Sequence, residues 1–267
     1  MSILLSAYFP EGIVFAADKN VTLLYGVPGN LQQDVEVGAT TKVIPWGHRK
    51  AVVGYCGIGQ LVGLSMEEWL RQFAAKTRDF DDLDKIANQM RDEIQRDFDQ
   101  DYPDGIDIDS TGLIVHLGGF RYESDIAVPS MYLISNVPVI DLLGRYAKAV
   151  RNFQVSDELR TRVVNEGARG FRLWLEKYYQ EGKLVWFNNG LKFPAFNVLK
   201  EGLWQTLTAL RNLPQMPLPQ TPTLDDRVVY CKMAIELFDS FFRHHFLPSY
   251  RSVGGGADAE WVPWPEQ

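Results

Sequence analysis

Cysteine is scarce in this chain. Two in 267 residues, Cys56 and Cys231, lie far apart and within apolar runs. They read as small buried hydrophobes in a reducing compartment, not as a disulfide framework. No CxxC or Cys/His spacing suggests zinc. Long apolar stretches are also missing, so no segment reads as a bilayer span. The opening Met1-Ser2-Ile3-Leu4-Leu5 lacks a basic lead, and Glu11 and Asp18 interrupt the apolar stretch, which argues against a secretory signal. Positive charge is outnumbered, 27 Lys and Arg against 34 Asp and Glu, a net charge of −7. Nucleic acid and anionic membranes are thereby poor partners, since neither meets a field of the right sign. The expectation is a cytoplasmic protein.

What is present is an ordinary globular balance, 46% hydrophobic and 23% charged, enough to bury a sizeable core. Residues 3–9 and 13–17 are apolar runs separated by Pro10-Glu11-Gly12, which predicts an antiparallel hairpin. The runs scarcely alternate, so both of their faces should be covered. A second hairpin is predicted from 42–46 and 50–56, turning at Gly47-His48-Arg49. Helices are expected over about 60–77 and, capped at Asp81, along the face Leu83, Ile86, Ala87, Met90, Ile94 and Phe98. Strands follow at 113–117 and 131–135, and 157–179 reads as helical. Two more helices flank a connector rich in proline (Pro214, Pro217, Pro219, Pro222): 195–212, and one with the stripe Val228, Cys231, Ile235, Phe238, Phe242. Gly254-Gly255-Gly256 and a short strand ending near Val262 close the chain. This order predicts an α+β fold in one domain over residues 1–267, a four-layer αββα sandwich of two antiparallel sheets between helix pairs. Residues 137–190 stand out as an insertion.

The first hairpin has a chemical consequence. With its turn centred between Pro10 and Glu11, facing residue numbers sum to about 21, so Ser2 falls opposite Lys19 and one residue from Asp18. In the second hairpin Lys42 falls near Gly54 and the segment Tyr55-Cys56-Gly57. A serine, an acid, a lysine and a glycine turn are thus expected together at strand ends.

The stretch Phe9-Pro10-Glu11-Gly12-Ile13-Val14-Phe15-Ala16-Ala17-Asp18 resembles the opening of proteasome β subunits and of the bacterial proteasome-like protease HslV, the N-terminal-nucleophile hydrolases. The resemblance implies that Ser2, exposed by removal of Met1, stands where the family has its catalytic threonine. It implies that Asp18 and Lys42 match the family's aspartate and lysine, and that Gly57 supplies an oxyanion-hole N–H. Asn20 stands where many β subunits carry arginine, and Ser252 is similar to a late serine ahead of a double glycine. The accompanying late aspartate is absent or replaced by Ser249. By the same resemblance the substrate is a peptide or unfolded protein, and the assembly is a homo-oligomeric ring or stack that leaves room for an ATPase regulator. No cofactor and no metal are implied.

The residue types suit that chemistry. An N-terminal α-amine has an ordinary pKa of about 8, so it can serve as general base at neutral pH. A hydroxyl on the same residue is then activated without a histidine. Lys42 would favour departure of the hydroxyl proton, and Asp18 would hold Lys42 in place and charged.

Simpler readings stand beside this one. Ser2 is also a common residue after an initiator methionine, and Asp18 with Lys42 could form a purely structural ion pair. Asp99-Gln100-Asp101-Tyr102-Pro103-Asp104-Gly105-Ile106 hints at a calcium loop, but it is one residue too long and lacks the closing glutamate. His244 and His245 are adjacent on a helix and cannot share a metal. Trp261 and Trp264 could be core plugs or interface anchors. Two rival functions remain: an inactive scaffold subunit, and a small-molecule amidase using the same nucleophile.

Overall fold

A computed structural model describes residues 3–27, 30–47, 50–80, 82–103, 112–137, 152–157, 167–181, 185–190, 194–213, 221–245 and 255–265. The first hairpin forms as the punctuation predicts. Strand β1 (Ile3–Phe9) runs antiparallel to β2 (Gly12–Asp18), with Leu4 opposite Ala17 and Phe9 opposite Gly12. Every residue of both strands is buried. Alternate side chains serve different clusters. Ile3, Leu5, Ala7 and Phe9 pack with Trp204, Tyr230 and Phe238, while Leu4 and Tyr8 pack with Val52, Cys56 and Met131. That division explains why the strands do not alternate apolar with polar.

Strand β3 (Asn20–Val27) pairs with β4 (Asn30–Ala39) as a two-stranded ribbon. The second hairpin is β5 (Val43–Trp46) with β6 (Ala51–Gly57), Val43 opposite Gly54. Two short strands follow, β7 (Gln60–Leu61) and β8 (Leu64–Ser65), turning through Val62 and Gly63 at positive φ. They occupy the first part of the helix expected over 60–77. Helix α1 (Met66–Lys76) starts only after them, capped by Ser65, whose hydroxyl accepts from Glu68 N–H. Helix α2 (Leu83–Asp101) buries the six apolar residues of the predicted face, and its cap is Asp82, one residue beyond the expected Asp81.

Strands β9 (Leu113–Glu123), β10 (Ile126–Ser135) and β11 (Gln154–Asp157) extend the second hairpin into a five-stranded sheet ordered β11-β10-β9-β6-β5. Helix α3 (Gly167–Gln180), β12 (Val185–Gly190), α4 (Pro194–Arg211), α5 (Leu224–His245) and β13 (Ala257–Pro263) complete the described elements. β12 and β13 flank the first hairpin in a four-stranded sheet ordered β12-β1-β2-β13. Among the described residues no helix is long and apolar enough to cross a membrane.

The expected four-layer αββα sandwich is corrected by this arrangement. The chain is a mixed α/β protein whose antiparallel strands fall into separate sheets of four, five, two and two strands, with five helices among the described residues. The reason lies in two segments that the hydrophobic pattern assigned to no layer. Residues 20–39 leave the first sheet as a ribbon of their own. Residues 137–190, read as an insertion, supply β12 at a sheet edge, and Leu175 of α3 joins the cluster containing Phe15 and Val128. A layer scheme built from alternating blocks of strands and helices has no place for either.

Candidate functional site

Strand β2 ends on Asp18, a carboxylate with no exposure to solvent. Its two oxygens have different partners. Oδ1 accepts the Ile3 N–H at 2.6 Å, and Oδ2 accepts from Lys42 Nζ at 3.1 Å. Lys42, itself 3% exposed, also donates to the Asn20 carbonyl at 2.6 Å. Burial raises the pKa of Asp18, while the Lys42 charge and the Ile3 N–H pull it back down. A buried charge is tolerable here because an opposite charge and a backbone donor replace its water.

The convergence follows from the two hairpins. Asp18 is the last residue of β2, opposite Ala257 at the start of β13. Lys42 directly precedes β5, and its carbonyl accepts from Tyr55 N–H at 3.0 Å, which sets it beside the C-terminal end of β6. Gly57 closes that strand at φ +118, and a Cβ there would lie 1.8 Å from the Gly112 carbonyl oxygen. Only glycine fits. Cys56, one residue earlier, is no rival nucleophile, because burial pushes its thiol up to about 12. The Tyr55 phenol is likewise raised to about 12 by burial, so it stays protonated.

Of the residues singled out from the sequence, the structure brings Asp18, Lys42 and Asn20 into contact and sets Gly57 at the end of the adjoining strand. Ser2 and Ser252 lie outside the described residues, as does Ser249. The amide that joins Ser2 to Ile3 is, however, the one whose N–H Asp18 holds. Asn20 differs from expectation in how it takes part. Its backbone carbonyl, not its side chain, meets Lys42, and its buried Nδ2 has no hydrogen-bond partner among the described residues. The late glycines do approach: Gly256 O accepts from Lys19 N–H at 3.2 Å, and Gly255 lies against Lys19 and Asn20. Sequence reasoning missed Thr40, Thr41 and Glu67, which meet immediately ahead of Lys42. No local signal linked residue 67 to residue 40. Among the described residues no three His, Cys, Asp or Glu side chains gather as metal ligands would.

No family model matches the chain, and no curated protein matches it. Solved structures similar to it include Anbu (ancestral beta-subunit) from Yersinia bercovieri, at 13% identity and a TM-score of 0.45, covering 98% of this chain and 82% of that one. An Anbu (Gly-1) mutant from Hyphomicrobium sp. strain MC1 is similar at 14% identity and a TM-score of 0.46, covering 97% of this chain and 80% of that one. These findings correct the resemblance drawn on residues 9–18. The likeness is to Anbu proteins, at low identity, and no family model supports the proteasome β-subunit or HslV assignment.

Proposed function

We propose that this chain hydrolyses peptide bonds through Ser2, with Met1 removed to free the α-amine. The observation that supports this is the carboxylate of Asp18, which binds Lys42 and the Ile3 N–H at once. An ammonium is thereby tied to the amide that follows Ser2. In the proposed cycle the α-amine takes the Ser2 hydroxyl proton as Oγ attacks the scissile carbonyl carbon. The Lys42 charge favours the developing alkoxide. A backbone N–H at Gly57 would stabilise the oxyanion, a contribution of about 3–4 kcal/mol for one such donor. Collapse breaks the C–N bond, and the leaving amine takes the proton from the α-ammonium. Water activated by the same amine then hydrolyses the ester. The substrate we assign is a peptide or unfolded protein. A ring-like homo-oligomer in the cytoplasm would keep such a nucleophile from other proteins.

The competing reading is a structural ion pair in an inactive scaffold, and the near-complete burial of both Asp18 and Lys42 favours it. One experiment separates the two. Intact mass should lack Met1 and should rise by one adduct after exposure to a hydroxyl-reactive peptide epoxyketone. Ser2→Ala should abolish both the adduct and peptide turnover while leaving Tm unchanged, and Ser2→Thr should keep measurable turnover. A Met1-retaining protein that turns over peptide as fast, or an adduct that survives Ser2→Ala, would sink the proposal.

A further inference from the structure

Lys42 is reached by a short link, and a side chain from another element holds that link. Glu67, in the first turn of α1, divides its carboxylate between two tasks. Oε2 accepts the Thr41 N–H at 2.9 Å and the Thr40 hydroxyl at 3.0 Å. Oε1 faces the other way and accepts from Arg71 one turn later, at 3.0 Å. The rest of the link is held by backbone: Thr40 N–H donates to the Lys19 carbonyl at 2.9 Å, and the Lys42 carbonyl accepts from Tyr55 N–H at 3.0 Å. Among these anchors Glu67 acts through its side chain. It is also the one that ties the link to α1 rather than to the strands.

Its chemistry suits a clamp. A carboxylate oxygen has lone pairs for two donors, and charge-assisted bonds of this kind are shorter and stronger than neutral ones. Those bonds to Thr41 N–H, to Arg71 and to the Thr40 hydroxyl outweigh partial burial and hold the Glu67 carboxyl below its ordinary range, so it is ionised at neutral pH. Arg71 is half exposed, so its ion pair contributes little, and the bonds to Thr40 and Thr41 are what distinguish Glu67 from a surface glutamate.

We infer that Glu67 is a positioning residue for Lys42. From the first turn of α1 it clamps Thr40 and Thr41, so that the Lys42 ammonium stays on Asp18 Oδ2 and the Asn20 carbonyl. The inference rests on the reading of Lys42 as part of the hydrolytic site. A displacement of about 1 Å in a positioned group can cost on the order of a hundredfold in rate without weakening substrate binding.

The test has two readouts on the full-length chain. The first is acetylation of Lys42 by acetic anhydride, followed by peptide mass spectrometry, with Lys200 as the internal control because it is equally buried, on α4. Glu67→Ala should raise Lys42 acetylation at least about tenfold with Lys200 unchanged, the mark of local rather than global opening. Glu67→Gln keeps an oxygen acceptor and should restore most of the protection. The second readout is peptide turnover: Glu67→Ala should lower kcat about tenfold or more with KM within about twofold, and Glu67→Gln should recover most of it. Unchanged Lys42 acetylation in Glu67→Ala would overturn the inference, as would a parallel rise at Lys42 and Lys200, or an unchanged kcat. If Ser2→Ala proves as active as the wild type, the hydrolytic reading falls by itself, and the acetylation ratio alone decides the clamp.

Discussion

Asp18 and Lys42 form a 3.1 Å ion pair from which water is almost wholly excluded, the two side chains being 0% and 3% exposed. They are 24 residues apart in sequence, and different hairpins carry them. A pair this dry is sensitive to the loss of either partner, because the charge left behind loses its counter-charge in a site closed to water.

Lys42→Ala should therefore destabilise the protein by about 3–5 kcal/mol, read as a large fall in the urea midpoint, since it strands a buried carboxylate. The double variant Lys42→Met with Asp18→Asn removes both charges and should regain much of that stability. Activity should not return with it. Lys42→Arg keeps the charge but brings a planar fork to a site shaped for a compact ammonium, and it should lose turnover as well. Peptide turnover retained in both Lys42→Ala and Lys42→Arg would show that the lysine is structural.

His116 sets a pH dependence that does not involve the candidate site. Its imidazole is fully buried, bonded through Nδ1 to the Ser6 hydroxyl at 2.7 Å, and burial lowers its pKa from the usual 6.5 to about 3. Below pH 6.5 the unfolded chain takes up a proton that the folded chain refuses. Stability should then fall as pH drops, by up to about 1.4 kcal/mol per unit, until the folded value near 3 is reached. Above pH 6.5 this contribution is flat. Asp18, with its pKa raised, acts in the opposite sense over the acid range. Comparing urea midpoints of the wild type and His116→Gln from pH 7 to 4 isolates the histidine. Parallel profiles would contradict the assignment.

Arg227 ties α5 to the first hairpin. Its guanidinium is 1% exposed, grips both oxygens of Glu11 at 3.1 and 2.9 Å, and lies over the rings of Phe9 and Trp204 at 4.9 and 5.3 Å. Lysine keeps the charge but neither the fork nor the flat face. Arg227→Lys should cost about 2 kcal/mol and lower Tm by several degrees, whereas Arg71→Lys, at a half-exposed position of α1, should cost almost nothing. Equal Tm values for the two variants would refute the distinction.

Local chemistry explains what is legible in the sequence. Pro10-Glu11-Gly12 between two apolar runs predicted a hairpin whose partners sum to 21, and Leu4 does face Ala17. A spacing of three and four predicted the buried face of α2 residue by residue. The start of α1 lies at Met66 and not near the expected 60: Ser65 and Glu68 carry the sequence signature of a cap, but the apolar run through Leu61 and Leu64 suits a helix equally well.

By itself, then, the sequence determined the two hairpins and thereby the neighbourhood of Asp18 and Lys42, because turn punctuation and strand register act over a few residues. The tertiary structure alone decided that the Asn20 carbonyl rather than its side chain meets Lys42, that Glu67 of α1 holds the link before it, and that β12 and α3 join the cores in place of a simple layered sandwich. Each of these depends on which distant surfaces come together when apolar area is buried. Burial rewards area without direction, so no local pattern along the chain encodes its outcome.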